Sequence, residues 1–316
     1  MSVKSLIVGV GGQDGWFLQQ YLTLRDQSVW GLSRQYLYAP DDTVQPAINI
    51  CDGLAVAQLI NDIQPDHVYF LAAVHHSAQD STILADDLMA RSTAVHVDAP
   101  RHFLEAIRVH APQARFFYAA SSHLFAGQQT ATPITEATPF APVGIYAQTK
   151  LEGVQLGRHY RDQHGLFVCS GFLFNHESWR RNPSFLSRNI ISSVAAILRE
   201  QQSELVLHNL SAQVDWSFAA DTVRAFVLML QLAQPHDMVI ASGQLHSVQN
   251  FAEIAFGAVG LNWRDYVKEE PSNRQKTDIS YPLCGDSTKL RALTGWQPVY
   301  NFEQMIRLLI DKELAH

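Results

Sequence analysis

The sequence predicts an α/β protein built on a parallel, doubly wound sheet, with a smaller α/β substrate-binding region interleaved into its C-terminal half. Short continuous apolar runs alternate with helical patterns through the first half of the chain, the rhythm of a parallel sheet. The first of these runs opens straight onto a glycine-rich turn and then a helical pattern. With 316 residues, 47% of them hydrophobic, the chain can bury one large core or two smaller ones.

Ser5-Leu-Ile-Val-Gly-Val10 reads as a buried strand. Gly9, Gly12 and Gly15 follow in Gly9-Val-Gly-Gly12-Gln-Asp-Gly15, ahead of a helical pattern carried by Trp16, Phe17, Leu18, Tyr21 and Leu22. In a strand–turn–helix context such glycines allow a tight turn and let a pyrophosphate lie against the helix N-terminus. Gly9, Gly12, Gln13, Asp14 and Gly15 are therefore candidate cofactor residues, although the spacing is Gly-x-x-Gly-x-x-Gly. A second strand, Ser28 to Leu32, ends at Ser33-Arg34. An arginine there suits a 2′-phosphate, so NADP is favoured over NAD. Ile48-Asn49-Ile50-Cys51-Asp52 leads into a helix over Leu54 to Ile63; Asn49 and Asp52 are placed to touch an adenine edge or to cap that helix. The strand His67 to Leu71 ends in Ala72-Ala73, small residues that let a cofactor approach the backbone.

A helix over about Met89 to Val109 precedes the strand Arg115 to Ala120, which ends in Ser121-Ser122-His123. Functional groups of such sheets belong at the carboxyl ends of strands. Tyr146 and Lys150 are four apart, hence one turn apart on one helix face. A lysine ammonium beside a phenol favours the phenolate, and Ser121 is placed to hydrogen-bond the same substrate oxygen. That is machinery for moving a proton on and off a hydroxyl while a nicotinamide takes or returns hydride.

That helix runs to about His164, and the strand Phe167 to Phe172 follows. Behind it Phe174-Asn175-His176-Glu177-Ser178-Trp179-Arg180-Arg181 concentrates polar groups, ahead of a helix over Phe185 to Arg199 that carries Arg188. Arginines so grouped suit phosphates, which guanidinium groups bind bidentately. Gln213-Val-Asp215-Trp216, Leu245-His246-Ser247 and Gly285-Asp-Ser-Thr288 fall in loops before helices. There is no internal repeat and no Pro/Gly linker, so the second region is expected to interleave with the first.

The net charge of 23 − 30 = −7, without a basic run, argues against nucleic acid as the main partner. Cys51, Cys169 and Cys284 show no CxxC and no metal spacing, so no metal site is expected. No leader pattern is evident and no apolar stretch reaches spanning length, which gives the expectation of a cytoplasmic protein without a membrane partner.

Taken together, Gly9-Val-Gly-Gly-Gln-Asp-Gly15, Pro142-x3-Tyr146-x3-Lys150, Leu173-Phe-Asn-His-Glu-Ser178 with Arg180-Arg181, Asn209-Leu-Ser-Ala-Gln-Val-Asp215-Trp216 and Ser242-Gly-Gln-Leu-His-Ser-Val248 resemble GDP-mannose 4,6-dehydratase. This is an extended short-chain dehydrogenase/reductase, and the resemblance covers nearly the whole chain. It implies a Rossmann domain for NADP over residues 1–174 and about 210–242, and a nucleotide-sugar domain over about 175–209 and 243–316. It implies that NADP oxidises C4 of a GDP-linked hexose, that water leaves across C5 and C6, and that hydride returns to C6. Tyr146 then stands as the C4 base, Lys150 as the group that lowers its pKa, and Ser121 as a ligand of the C4 oxygen. Gly9 to Asp14, Arg34, Asn49, Ile50, Leu71 to His75, His176 and Arg181 fall where the family binds NADP. Ser122, Asn175, Glu177, Arg188 and Arg274 are the implied substrate contacts, and a homodimer or homotetramer is the implied assembly, with Leu151, Val154 and Leu156 flanking the Tyr146 helix.

The chain departs from the family at instructive places. The family's C5 base is a glutamate, and here the position is His123. The tyrosine two residues on is Phe125, and the arginine before Asp-Trp is Val214. The aspartate of the adenine-contacting pair is Asn49, and the late Arg-Pro-x-Glu is only echoed by Arg274 or Lys276. A neutral imidazole can take a proton near pH 7, its ordinary pKa being about 6.5. The sequence thus leaves three readings: a dehydratase using His123; a 4-ketoreductase, epimerase or C4 oxidase without elimination; and a non-catalytic NADP-binding subunit, against which Ser121, Tyr146 and Lys150 together argue.

Overall fold

Leu6, Ile7 and Val8 are at most 1% exposed, and each such side chain contributes about 1.5–3 kcal/mol on burial. They lie in β1 (Lys4–Val8), the central strand of a computed structural model that describes residues 2–74, 85–129, 133–271 and 282–315. The chain continues as α1 (Gln13–Thr23), β2 (Ser28–Leu32), β3 (Tyr36–Tyr38), β4 (Val44–Pro46), α2 (Gly53–Ile63) and β5 (His67–Phe70). Next come α3 (Ala85–Thr93), α4 (Ala99–His110), β6 (Arg115–Ala119), α5 (Gly144–His164), β7 (Phe167–Leu173), β8 (Asn175–Glu177), α6 (Leu186–Leu198) and β9 (Leu205–Leu207). The last elements are β10 (Gln213–Phe218), α7 (Ala219–Leu230), β11 (Met238–Ile240), β12 (Leu245–Ser247), α8 (Val248–Gly257), β13 (Val267–Glu269), α9 (Thr288–Thr294) and α10 (Phe302–Leu314).

The main sheet runs β11-β7-β6-β5-β1-β2-β3-β4. Pairing is parallel from β11 through β2 and antiparallel in the short β2-β3-β4 edge, a hairpin that the sequence pattern did not signal. Alternating side chains feed two cores. Ile7, Tyr69 and Phe117 face one that α1, α6, α7, α8 and α10 cover. Leu6, Val8, Val68, Phe70, Phe116 and Tyr118 face the other, under α2, α4 and α5. The expected doubly wound arrangement is what forms, because a sheet buried on both faces needs apolar residues at every position. After β2 the chain crosses back to the far side of β1 and enters β5, so strand order reverses between β1 and β5. Ligand clefts of such sheets open at that reversal.

The helix expected over Met89–Val109 is interrupted. Ala94–Asp98 forms a π-helical turn between α3 and α4. Pro100 is the cause: it has no N–H, and its ring crowds the carbonyl four residues back, that of His96. That carbonyl accepts instead from the Tyr118 hydroxyl at 2.9 Å.

Beyond the main sheet, β12-β10-β8 and β13-β9 form two small sheets. Of the three segments expected as loops, residues 213–216 and 245–247 lie instead in strands, β10 and β12, paired antiparallel. The chain just before β12 meets the Gly285 segment on one carboxylate of β10. Asp215 accepts from Ser242 N and Oγ (2.9 and 2.5 Å), Gly243 N (3.1 Å) and Gly285 N (3.1 Å). Val154, expected to flank an assembly surface, is fully buried in the second core, and Leu151 and Leu156 pack partly against it. Among the described residues no helix is long and apolar enough to cross a membrane.

Candidate active site

The glycine turn sits at the strand-order reversal. Gly9 has φ +103°, and a Cβ there would meet Ala72 N at 2.9 Å, so only glycine lets the two strand ends approach. A Cβ on Gly15 would run into the Gly9 carbonyl and Val10. Gly12 caps α1 with no side-chain hydrogen bond, leaving the helix N-terminus to its backbone N–H groups. Beside this turn a cavity of about 380 Å³ is lined by Gly9, Ser33, Arg34, Asn49, Ile50 and Ala72, among others. Five of the residues that the sequence assigned to the cofactor thus share one wall. Asp52 takes the capping role, accepting from Leu54 N and Ala55 N at 3.0 and 3.3 Å.

Tyr146 is half-buried near the start of α5, close enough to Asp14 in the first turn of α1 for that carboxylate to act on its phenol. Ser121 caps the 3-10 turn Ser122–Phe125 that follows β6, and its side chain hydrogen-bonds Tyr146. Two imidazoles meet the Tyr146 ring edge-on, His123 at 5.8 Å and His96 at 5.5 Å between centroids. His123 is exposed. The protein crowding its other sides desolvates it and lowers its pKa, so the ring is neutral at pH 7. Ser122 is buried in the same turn.

Lys150 behaves differently from the expectation. It is 1% exposed, donates to the Ala119 carbonyl at 2.7 Å and lies over the Tyr118 ring. Burial lowers its pKa to about 7. The Tyr146 phenol is raised, not lowered: desolvation is the largest influence, opposed by the Ser121 hydrogen bond and by the charge of Arg181. In this arrangement Arg181 is the cation that favours the phenolate, and Lys150 is directed at the end of β6.

Gln13, Asp14 and His176 are joined to one another. His176 Nε2 lies 3.0 and 2.9 Å from the two Asp14 oxygens, and Nδ1 lies 2.7 Å from the Phe174 carbonyl. Both ring nitrogens face acceptors, so both carry protons. Burial alone would lower the His176 pKa, but the charge and hydrogen bond of Asp14 outweigh it and raise it. Burial likewise pushes Asp14 up, and the charge and hydrogen bond of His176 bring it below its ordinary range. Gln13 donates to the His176 carbonyl at 3.1 Å and accepts from Ser178 Oγ at 2.7 Å. The first turn of α1 is thereby tied to β8.

The polar run behind β7 divides. Glu177 is buried, accepts from Ser187 Oγ at 2.5 Å and pairs with Arg181 at 3.4 Å; Asn175 contributes its carbonyl to Ser217 Oγ. Arg188 pairs with Glu313 of α10 at 2.7 Å and lines a cleft with Trp179, Arg180, Arg199 and Lys312, while Arg181 turns to Glu177. Arg188 directly follows Glu177's partner Ser187, and that one-residue step of about 100° around α6 points the two side chains in different directions. Leu71 and Ala73 close the β5 end, while His75, Arg274 and Lys276 lie outside the described residues. Sequence reasoning missed His96, which reaches Tyr146 only because α3 and α4 pack against α5, and nothing local announces that.

A glycine turn at the reversal point, facing Ser121, Tyr146 and Lys150 at the ends of strands and on α5, defines an extended short-chain dehydrogenase/reductase. The family model described as GDP-mannose 4,6 dehydratase matches residues 6–309, and the chain belongs to that family. It is 34% identical over 330 residues to "GDP-mannose 4,6 dehydratase 2" of Arabidopsis thaliana, covering 98% of this chain and 86% of that one. It is 30% identical over 344 residues to the human GDP-mannose 4,6 dehydratase, covering 98% and 91%. The fold is also that of RMD from Pseudomonas aeruginosa complexed with NADPH, with a TM-score of 0.84 at 19% identity and full coverage of both chains.

Proposed function

We propose that this chain is an NADP-dependent GDP-mannose 4,6-dehydratase in which His123 acts as the C5 base. The observation that carries the proposal is the grouping of Ser121 and His123 around the Tyr146 ring, with Asp14 from the first turn of α1 and Arg181 acting on the same phenol. The cavity at Arg34, Asn49 and Ile50 suits the adenosine end of a dinucleotide, with Arg34 on its 2′-phosphate. The α1 N-terminus and Gly9 suit its pyrophosphate, since a Cβ would fill that space.

When bound, NADP supplies the hydride acceptor and donor. Tyr146 exchanges the proton of the C4 hydroxyl, with Ser121 holding the oxygen and Arg181 favouring the phenolate. Once C4 is a ketone the C5 proton is acidic. Neutral His123 takes it and, as the imidazolium so formed, returns it to the C6 hydroxyl, which leaves as water while the C5–C6 double bond forms. We assign residues 1–174 and about 210–242 to the cofactor half, the remainder to the GDP-sugar half, and a cytoplasmic homodimer or homotetramer to the assembly. Light scattering giving a 35.4 kDa particle at micromolar concentration would refute the assembly.

Mass spectrometry of GDP-mannose incubated with the protein and NADP tests the chemistry: the expected product is lighter by one water. Interconversion of a 4-keto sugar and its alcohol, with no water lost and no solvent deuterium entering C5, would instead establish a reductase or epimerase.

A further inference from the structure

His96 is a fully buried histidine that the chemistry above does not use. It lies in the π-helical turn Ala94–Asp98, and such turns are frequent at functional sites. Pro100 accounts for the turn: without an N–H for the His96 carbonyl, it leaves that oxygen to the Tyr118 hydroxyl. The ring is held at both nitrogens. The Val74 backbone N–H, just past the end of β5, donates to Nε2 at 3.0 Å. A backbone N–H can only donate, so Nε2 carries no proton and a neutral ring carries it on Nδ1. Nδ1–H then donates to Thr149 Oγ1 at 2.8 Å, and the Thr149 hydroxyl donates in turn to the Ile145 carbonyl at 2.9 Å. The residue adjoining Lys150 and the carbonyl preceding Tyr146 are thus both tied to one imidazole, whose ring stands at 88° to that of Tyr146.

We propose that His96 is a positioning residue for Tyr146: clamped between Val74 and Thr149 as the Nδ1–H tautomer, it fixes the Tyr146 ring where Ser121 and Arg181 act on its oxygen. The proposal rests on reading Tyr146 as the proton carrier. Its other neighbours are Tyr118 from β6, His123 from the turn after β6, Asp14 from α1, and Lys150 one turn along α5. Burial keeps His96 uncharged, with a pKa pushed down to about 2, desolvation acting first and Lys150 second. His96 therefore adds no charge of its own beside Tyr146.

The test uses His96→Phe, which keeps a ring and removes both of its hydrogen bonds, and Thr149→Val, which removes the acceptor of Nδ1–H together with the hydroxyl's own bond to the Ile145 carbonyl. Tyr146 is read directly by the pH titration of its ¹³Cζ resonance, identified by its loss in Tyr146→Phe. In both variants the titration should move up by about half a pH unit or more as the Ser121 contact loosens. Turnover of GDP-mannose should fall about tenfold to a hundredfold, as for an ångström-scale misplacement, with KM within about twofold. An unmoved Tyr146 titration in either folded variant overturns the proposal, and if His96→Phe does not fold, Thr149→Val decides alone. Absence of turnover in the unaltered protein would count against the dehydratase reading, while the Tyr146 titration would still decide the role of His96.

Discussion

Replacing His176 with leucine should destabilise the protein by about 3–5 kcal/mol, the range for removing one partner of a buried pair. The side chains of His176 and Asp14 are 9% and 18% exposed, and the imidazolium contacts both carboxylate oxygens at 2.9–3.0 Å. Leucine fills similar space, so the loss comes mainly from Asp14, left charged at the first turn of α1. For a chain of this length the melting temperature should drop by roughly 5–8 °C. Asp14→Asn in the same chain should recover more than half of the loss, because an amide needs no counter-charge. The pH dependence follows from the two shifts. The His176 contribution is complete below its ordinary value of 6.5 and lost as pH rises through its raised folded value. The Asp14 contribution is complete above 3.8 and lost as pH falls through its lowered folded value. The excess stability of the natural chain over the double variant should therefore be greatest between 3.8 and 6.5. Urea unfolding of the natural chain, the single variant and the double variant across that range measures it. A single variant as stable as the natural chain, or a double variant no better than the single, would refute the coupling.

NADP should bind about tenfold to a hundredfold more tightly than NAD, since one charge-assisted contact from Arg34 contributes about 1.5–3 kcal/mol; equal affinities in a fluorescence titration would remove Arg34 from that role. Tyr146→Phe should cut hydride transfer at least about 10²–10⁴-fold with cofactor affinity kept, so sustained turnover in a clean preparation would place the site elsewhere. Because burial lowers the His123 pKa, elimination should persist below pH 6.5 and fail as pH drops through that lowered value. His123→Ala should stop solvent-deuterium exchange at C5 while C4 oxidation continues. His123→Glu should extend activity toward the reference carboxylate pKa of about 4.3, and an unchanged acid limb would show that His123 is not the base.

The sequence by itself determined the parallel sheet, the glycine turn and the pairing of Tyr146 with Lys150 on one helix face. Continuous apolar runs, a turn only glycines can make and the helical repeat are all local properties of the chain. Family membership was legible for the same reason: LFNHES and its companion motifs are contiguous words. What Lys150 points at was not legible, because four-residue spacing places two side chains on one face but does not say how deeply that face is buried. Burial turned Lys150 toward Ala119 and raised Tyr146, and it left Arg181, from beyond β8, as the cation acting on the phenol. Arg188 is similar: three arginines close in sequence looked like one phosphate site, yet packing divides them, Arg180 and Arg188 lining one cleft and Arg181 turning to Glu177. His96 lies furthest from anything the sequence could disclose. Its partners Val74 and Thr149 are 22 residues before it and 53 after it. Only the packing of α3 and α4 against α5, with a π turn that Pro100 imposes, brings the three together.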